Sequence, residues 1–129
     1  YNMSIHISVD GEINLGSNCL TNYPESLSQN NYFNIGMKLV LKNNKIKLIK
    51  KSFFAISRGI KLIDLSKNQL ELIEDESFFN LGLLEDLNLN SNKLKNLSSN
   101  TFIGLFSLKS LNLTYNNIEY LSSDLFREL

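Results

Sequence analysis

Apolar residues return along this chain with a period of 24. LEDLNLNSNKLKNLSSNTF, from Leu84 to Phe102, is answered 24 residues later by LKSLNLTYNNIEYLSSDLF, from Leu108 to Phe126. With Leu84 as position 1 of a unit, position 4 holds Leu39, Ile63, Leu87 and Leu111, and position 6 holds Leu41, Leu65, Leu89 and Leu113. Position 9 is Asn44, Asn68, Asn92 and Asn116, and position 19 is Phe54, Phe78, Phe102 and Phe126. Positions 1, 11 and 14 are aliphatic in all four units except at Gly36.

Phase held over four units marks a repeat architecture. Alternation at positions 4 and 6 predicts one short strand per unit with a single buried face. A lone strand cannot bury that face, so the units must stack their strands into a parallel sheet over a continuous leucine interior. The pattern predicts a right-handed solenoid of α/β type. Its curved parallel sheet should have about five strands, centred near Leu15, Val40, Asp64, Asn88 and Asn112. The convex side should be mostly irregular or short helical. Position 9 lies where the chain leaves the strand. An asparagine amide both donates and accepts, so Asn44, Asn68, Asn92 and Asn116 are expected to form a structural ladder. The four phenylalanines should stack into a spine on the far side.

The pattern LxxLxLxxNxLxxLxxxxF resembles the leucine-rich repeat in its 24-residue typical form, as found in Toll-like receptor ectodomains, Slit-like proteins and secreted insect immune factors. Four repeats are expected, at 36–59, 60–83, 84–107 and 108–129. Residues 1–35 read as an amino-terminal cap and degenerate first repeat, because INLGSNCLTNYPESL keeps Ile13, Leu15, Asn18 and Leu20 at strand spacing. The family's extracellular cap carries a cysteine cluster, whereas this chain has Cys19 alone. The resemblance implies an extracellular protein-recognition module, secreted or part of a receptor ectodomain. It would serve innate immunity and bind a protein ligand or co-receptor with no cofactor. An intracellular scaffold or adaptor and a structural spacer that dimerises are the alternatives.

Composition changes this picture little. A chain of 129 residues allows one domain with a real core. A formal net charge of +0 gives no global pull toward nucleic acid or a membrane surface. No apolar run approaches the roughly 18 residues of a membrane span. The start, YNMSIHISVD, lacks the parts of a signal peptide. No polar cap follows Phe126, so the side carrying Leu111, Leu113, Ile118, Leu121 and Phe126 is expected to be covered by further repeats or by end-to-end dimerisation.

Candidate chemistry is sparse. His6 is the one histidine, and CxxC, HExxH, P-loop and GxSxG motifs are absent, so neither catalysis nor a metal site is expected. The run MKLVLKNNKIKLIKK is rich in lysine. Folded into units, position 12 alternates as Lys47, Glu71, Lys95 and Glu119, while Lys50 falls beside Glu74 and Lys51 beside Asp75. These are expected inter-repeat ion pairs, which leaves Lys38, Lys42 and Lys45 as a candidate basic rim.

Ligand contact should use the concave positions 3, 5, 7 and 8. The candidates are Lys38, Leu62, Asp86 and Ser110; Val40, Asp64 and Asn88; Lys42, Ser66, Asn90 and Thr114; and Tyr115 as an aromatic anchor. Asn43, Lys67 and Ser91 share position 8 with Tyr115. Sequons at Asn2, Asn96 and Asn112 are candidate glycosylation sites. A glycan on Asn112 would shift contact toward Lys38, Val40, Asp64 and the rims. Cys19 has no internal partner, so it is expected either reduced in a buried cap or in an interchain disulfide.

Overall fold

The computed structural model describes residues 6–24, 35–55 and 57–129. Six strands form the main sheet: β1 (His6–Ile7), β2 (Glu12–Asn14), β3 (Met37–Val40), β5 (Ile60–Asp64), β7 (Asp86–Asn88) and β9 (Ser110–Asn112), in the order β1-β2-β3-β5-β7-β9. The five from β2 to β9 pair in parallel. Strand β1 lies outside the five strands expected for the sheet. It is antiparallel to β2 through a tight turn at 8–11, where Gly11 takes a φ of 76°.

The register reports the repeat directly. Leu62 faces Asp86, and Asp86 faces Ser110, each pair one 24-residue unit apart. Glu12 faces Lys38 at a separation of 26, so the degenerate first unit is two residues longer than the others. An irregularity between Met37 and Lys38 marks where it joins the regular array. Two small parallel pairs flank the main sheet: β4 (Leu48–Ile49) with β6 (Leu72–Ile73), and β8 (Asn96–Leu97) with β10 (Tyr120–Leu121).

Strand alternation sends positions 4 and 6 inward. Leu39, Leu41, Ile63, Leu65 and Leu89 are fully buried, as are Ile13 and Leu15 of the first unit. The phenylalanines form the expected spine, with stacked ring centroids 5.7, 6.1 and 6.4 Å apart from Phe54 through Phe78 and Phe102 to Phe126. Tyr23 begins it edge-on to Phe53 and Phe54, at 5.1 and 6.1 Å. Burying each ring stabilises the fold by about 1.5–3 kcal/mol before any ring–ring term. In the fourth unit Leu111, Leu113 and Ile118 are half-buried, and Leu121 and Phe126 are 45% and 47% exposed.

The convex side takes the irregular of the two expected forms, since the described residues contain no helix. It is a chain of single turns closed by three-residue hydrogen bonds. Ser77 N–H donates to Glu74, Phe79 to Glu76, Leu81 to Phe78 and Leu84 to Leu81. Glu76, at a φ of 61°, leaves the right-handed helical region within that run, so no helix propagates. Gly104 meets a further demand. Its φ is 93°, and a Cβ there would lie 2.5 Å from the Phe79 carbonyl oxygen.

Candidate functional site

The concave face rests on an interior that satisfies its own backbone. Asn68 Nδ2 donates to the carbonyls of Leu41 and Leu65, both at 3.0 Å, and its Oδ1 accepts from Ile46 N–H at 3.1 Å. Asn92 repeats this with Leu65, Leu89 and Leu70, and Asn116 with Leu89, Leu113 and Leu94. Asn44 joins Leu15 and Leu41 and accepts from the amides of Asn18 and Leu20. Each asparagine therefore ties two units together where strands turn inward. No buried side-chain nitrogen or oxygen among the described residues lacks a partner.

Two further devices fix the concave backbone, and neither was anticipated. At position 5 an Asx turn ends the strand. The Oδ1 of Asp64, Asn88 and Asn112 accepts from the amide two residues on, at 2.9, 3.0 and 3.0 Å, and Asn14 does the same for Gly16. Asp and Asn two residues before the turn were the readable signal. At position 8 the backbone is left-handed in every unit: Ser17, Asn43, Lys67, Ser91 and Tyr115 have φ between 53° and 58°. Position 8 is thus free in side chain but not in backbone. Its N–H donates to the position-7 carbonyl of the next unit, as from Asn43 to Ser66 and from Lys67 to Asn90.

The candidate ligand residues divide on this frame. Lys38, Lys42, Asp86, Ser110, Thr114 and Tyr115 are exposed, and Val40, Leu62, Asp64, Asn88 and Asn90 are half-buried. Ser66 is buried at 4% exposure, which leaves its side chain little surface for ligand contact. Asn90 Nδ2 bonds Thr114 Oγ1, which couples neighbouring units at position 7. Val40 and Lys42 line a depression of about 320 Å³ with Asn14, Gly16, Ser17, Asn43 and Lys67. Asn14, Gly16 and Ser17 come from the degenerate unit, whose two extra residues hid their equivalence to positions 5, 7 and 8. Leu62, Asp64, Asp86, Asn88 and Ser110 line a second depression of about 310 Å³ with Asn112. Lys38, Asn90, Thr114 and Tyr115 line neither. Tyr115 stands 83% exposed.

The flank charges pair differently from expectation. Glu85 sits between Lys61 at 3.4 Å and Lys109 at 3.0 Å, and Lys51 pairs with Glu76. Ion pairs among the described residues thus fall at position 2 and in a convex turn. The position-12 charges form none, and neither Lys50–Glu74 nor Lys51–Asp75 closes. Glu74 Oε2 instead accepts from the Lys51 amide at 2.9 Å. The hydrogen bond from Lys109 lowers the Glu85 pKa, with both lysine charges adding to it. Tyr23 is pushed up to about 12 by burial, against a lowering hydrogen bond with Ser57.

The sequon at Asn2 lies outside the described residues. Asn96 and Asn112 are both exposed, on β8 and β9. Cys19 is a free, exposed thiol, so the buried-cap alternative is corrected. No helix among the described residues is long and apolar enough to cross a membrane.

Comparison with known proteins agrees with this geometry. The leucine rich repeat family model matches residues 37–94 and 83–129. No curated protein matches the chain. Among solved structures, the crystal structure of a TLR13–ssRNA13 complex superposes with a TM-score of 0.83 at 28% identity. The match covers 92% of this chain and only 16% of that one. Repeat register, asparagine ladder and family match together place this chain in the leucine-rich repeat family, in a form similar to Toll-like receptor ectodomains.

Proposed function

We propose that this chain is a protein-recognition module that binds through the concave sheet and its rims, within an ectodomain or a secreted immune protein. One observation carries the reading. The concave backbone takes the same left-handed turn at position 8 in every unit, while its outward side chains at positions 3, 5 and 7 differ in size, polarity and charge. A surface ordered before binding loses little entropy on binding. We read 1–35 as cap and first unit and 36–129 as the repeats that carry this surface. The TLR13 chain is described in complex with ssRNA; here the net charge of +0 favours a protein ligand.

Exposure of Asn96 and Asn112 supports an extracellular setting. The exposed Cys19 thiol favours the alternative, an intracellular scaffold. Peptide mass mapping of chain made in a eukaryotic secretory pathway tests the first setting: glycan is expected on Asn96, Asn112 or both. Bare asparagines, with a thiol that alkylates freely, would favour the second. Recognition itself is tested by Ser110→Arg on the concave face beside Lys95→Glu on the flank. Ligand capture should fall only with the first.

A further inference from the structure

We infer that the concave face takes an extended protein segment carrying one carboxylate and one cationic side chain roughly 10–15 Å apart. The inference rests on the recognition reading above and specifies its partner. Its basis is a division of charge. Ion pairs among the described residues use Lys51, Lys61, Lys109, Glu76 and Glu85, all off the concave face. The concave charges Lys38, Lys42, Lys67, Asp64 and Asp86 form no ion pair among the described residues.

These unpaired charges are sorted by sign. The first depression is lined by Lys42 and Lys67 with asparagine and serine donors, and no carboxylate lines it. The second is lined by Asp64 and Asp86, and no cation lines it. Asp64 uses Oδ1 for its Asx turn, and the Asp86 carboxylate bonds no side chain or amide among the described residues. Two acids border the basic side: Asp64, the strand neighbour of Val40, with its Oδ1 taken by the Ser66 amide, and Glu12. The Glu12 carboxylate accepts from Asn14 Nδ2, and the strand neighbour of Glu12 is Lys38, not Lys42.

The spacing follows from the sheet. The basic depression centres on β3 and the acidic one on β7, two strands away in the order β3-β5-β7. Two strand spacings make about 10 Å across the strands. The basic depression lies at positions 5–8, whereas the acidic one lies at positions 3–5. Their centres therefore stand roughly 10–15 Å apart, and an extended chain spans them in about three to five residues. A carboxylate over Lys42 and Lys67 and a Lys or Arg over Asp64 and Asp86 would match both depressions at once. A nucleic-acid strand fits poorly, because its phosphates would have to cross the acidic depression.

Selection of a phage-displayed random 12-residue library on the immobilised whole chain tests this. Enriched peptides should carry Asp or Glu about three to five residues from Lys or Arg. Their synthetic forms should lose about tenfold or more in affinity to Lys42→Glu/Lys67→Glu and, separately, to Asp86→Lys. Replacing the peptide's acid by Lys should restore binding to the first variant. Enriched peptides of one sign, or apolar ones, that are still blocked by Ser110→Arg would overturn the bipolar inference and leave recognition standing. Enriched peptides indifferent to all these variants, or no enrichment, would overturn both. A 20-nucleotide oligouridine that binds the native chain and is lost on Lys42→Glu/Lys67→Glu would overturn the choice of a protein ligand.

Discussion

The turn behind the sheet and the concave face in front of it use the same residue types for different ends. Asn92 and Asn88 lie four residues apart in one repeat. Asn92 is 6% exposed and binds Leu65, Leu89 and Leu70 of two units. Asn88 is half-buried and closes one turn within its own strand end. Burial makes the difference. Behind the sheet an unmet backbone group has no water to turn to, so the amide is committed to structure and must recur in every unit. In front, water can substitute, so the residue can change from unit to unit and is left for a ligand.

Substitutions can widen or erase that contrast. The largest effect is expected at the spine. Phe78 is fully buried between Phe54 and Phe102, so Phe78→Ala should cost about 3–5 kcal/mol in urea unfolding. Phe126→Ala, at a ring 47% exposed and stacked on one side, should cost less than half as much. Equal costs would mean that spine position, not burial, sets the energy.

The ladder comes next. Asn68→Ala strands the Ile46 amide and the Leu41 and Leu65 carbonyls, and should cost about 3 kcal/mol. Asn88→Ala loses a single turn bond and should cost about 1 kcal/mol or less. A cost at Asn88 matching that at Asn68 would abolish the distinction between the two regions.

Smaller effects are read through pH. The folded-state pKa of Tyr23, about 12, lies above its ordinary value of 10.0. Its contribution is therefore complete below pH 10 and lost as the pH rises toward 12. The thermal midpoint should fall over that window, and Tyr23→Phe should flatten the fall. Glu85 works in the opposite sense. Its folded pKa is depressed by Lys109 and Lys61, so its contribution is present above the unfolded value and lost as pH falls through the lower folded one. Carboxyl NMR should place its midpoint below the usual carboxylate range, moving upward with added salt because the pairs are exposed. A midpoint insensitive to Lys109→Ala would remove the flank triad from the account.

These contrasts explain what the sequence could disclose. Ladder and spine residues recur because each unit meets the same buried demand, so period 24 revealed Asn44 through Asn116 and Phe54 through Phe126 before any coordinates. Strand β1 belongs to a hairpin that occurs once, and no period could announce it. The flank pairs were misassigned because stacking fixes which positions are neighbours but not how far a lysine side chain reaches: Lys51 passes Asp75 for Glu76. The concave set was legible as positions but not as contacts. Ser66 proved buried, and Asn14, Gly16 and Ser17 joined through a unit two residues too long to align. The Asx turns at Asp64, Asn88 and Asn112 were written in the sequence, but they read as ligand contacts because the same atoms suit either use.

The central claim is that the Lys42, Lys67 and Asp86 side chains are free for a ligand and carry no part of the fold. Urea unfolding of the whole chain bearing Lys42→Glu, Lys67→Glu and Asp86→Lys together tests it most directly. The account predicts an unfolding free energy within about 0.5 kcal/mol of the native chain, as for exposed substitutions away from structural features. A loss of about 2 kcal/mol or more would contradict it, because those side chains would then be holding the solenoid together.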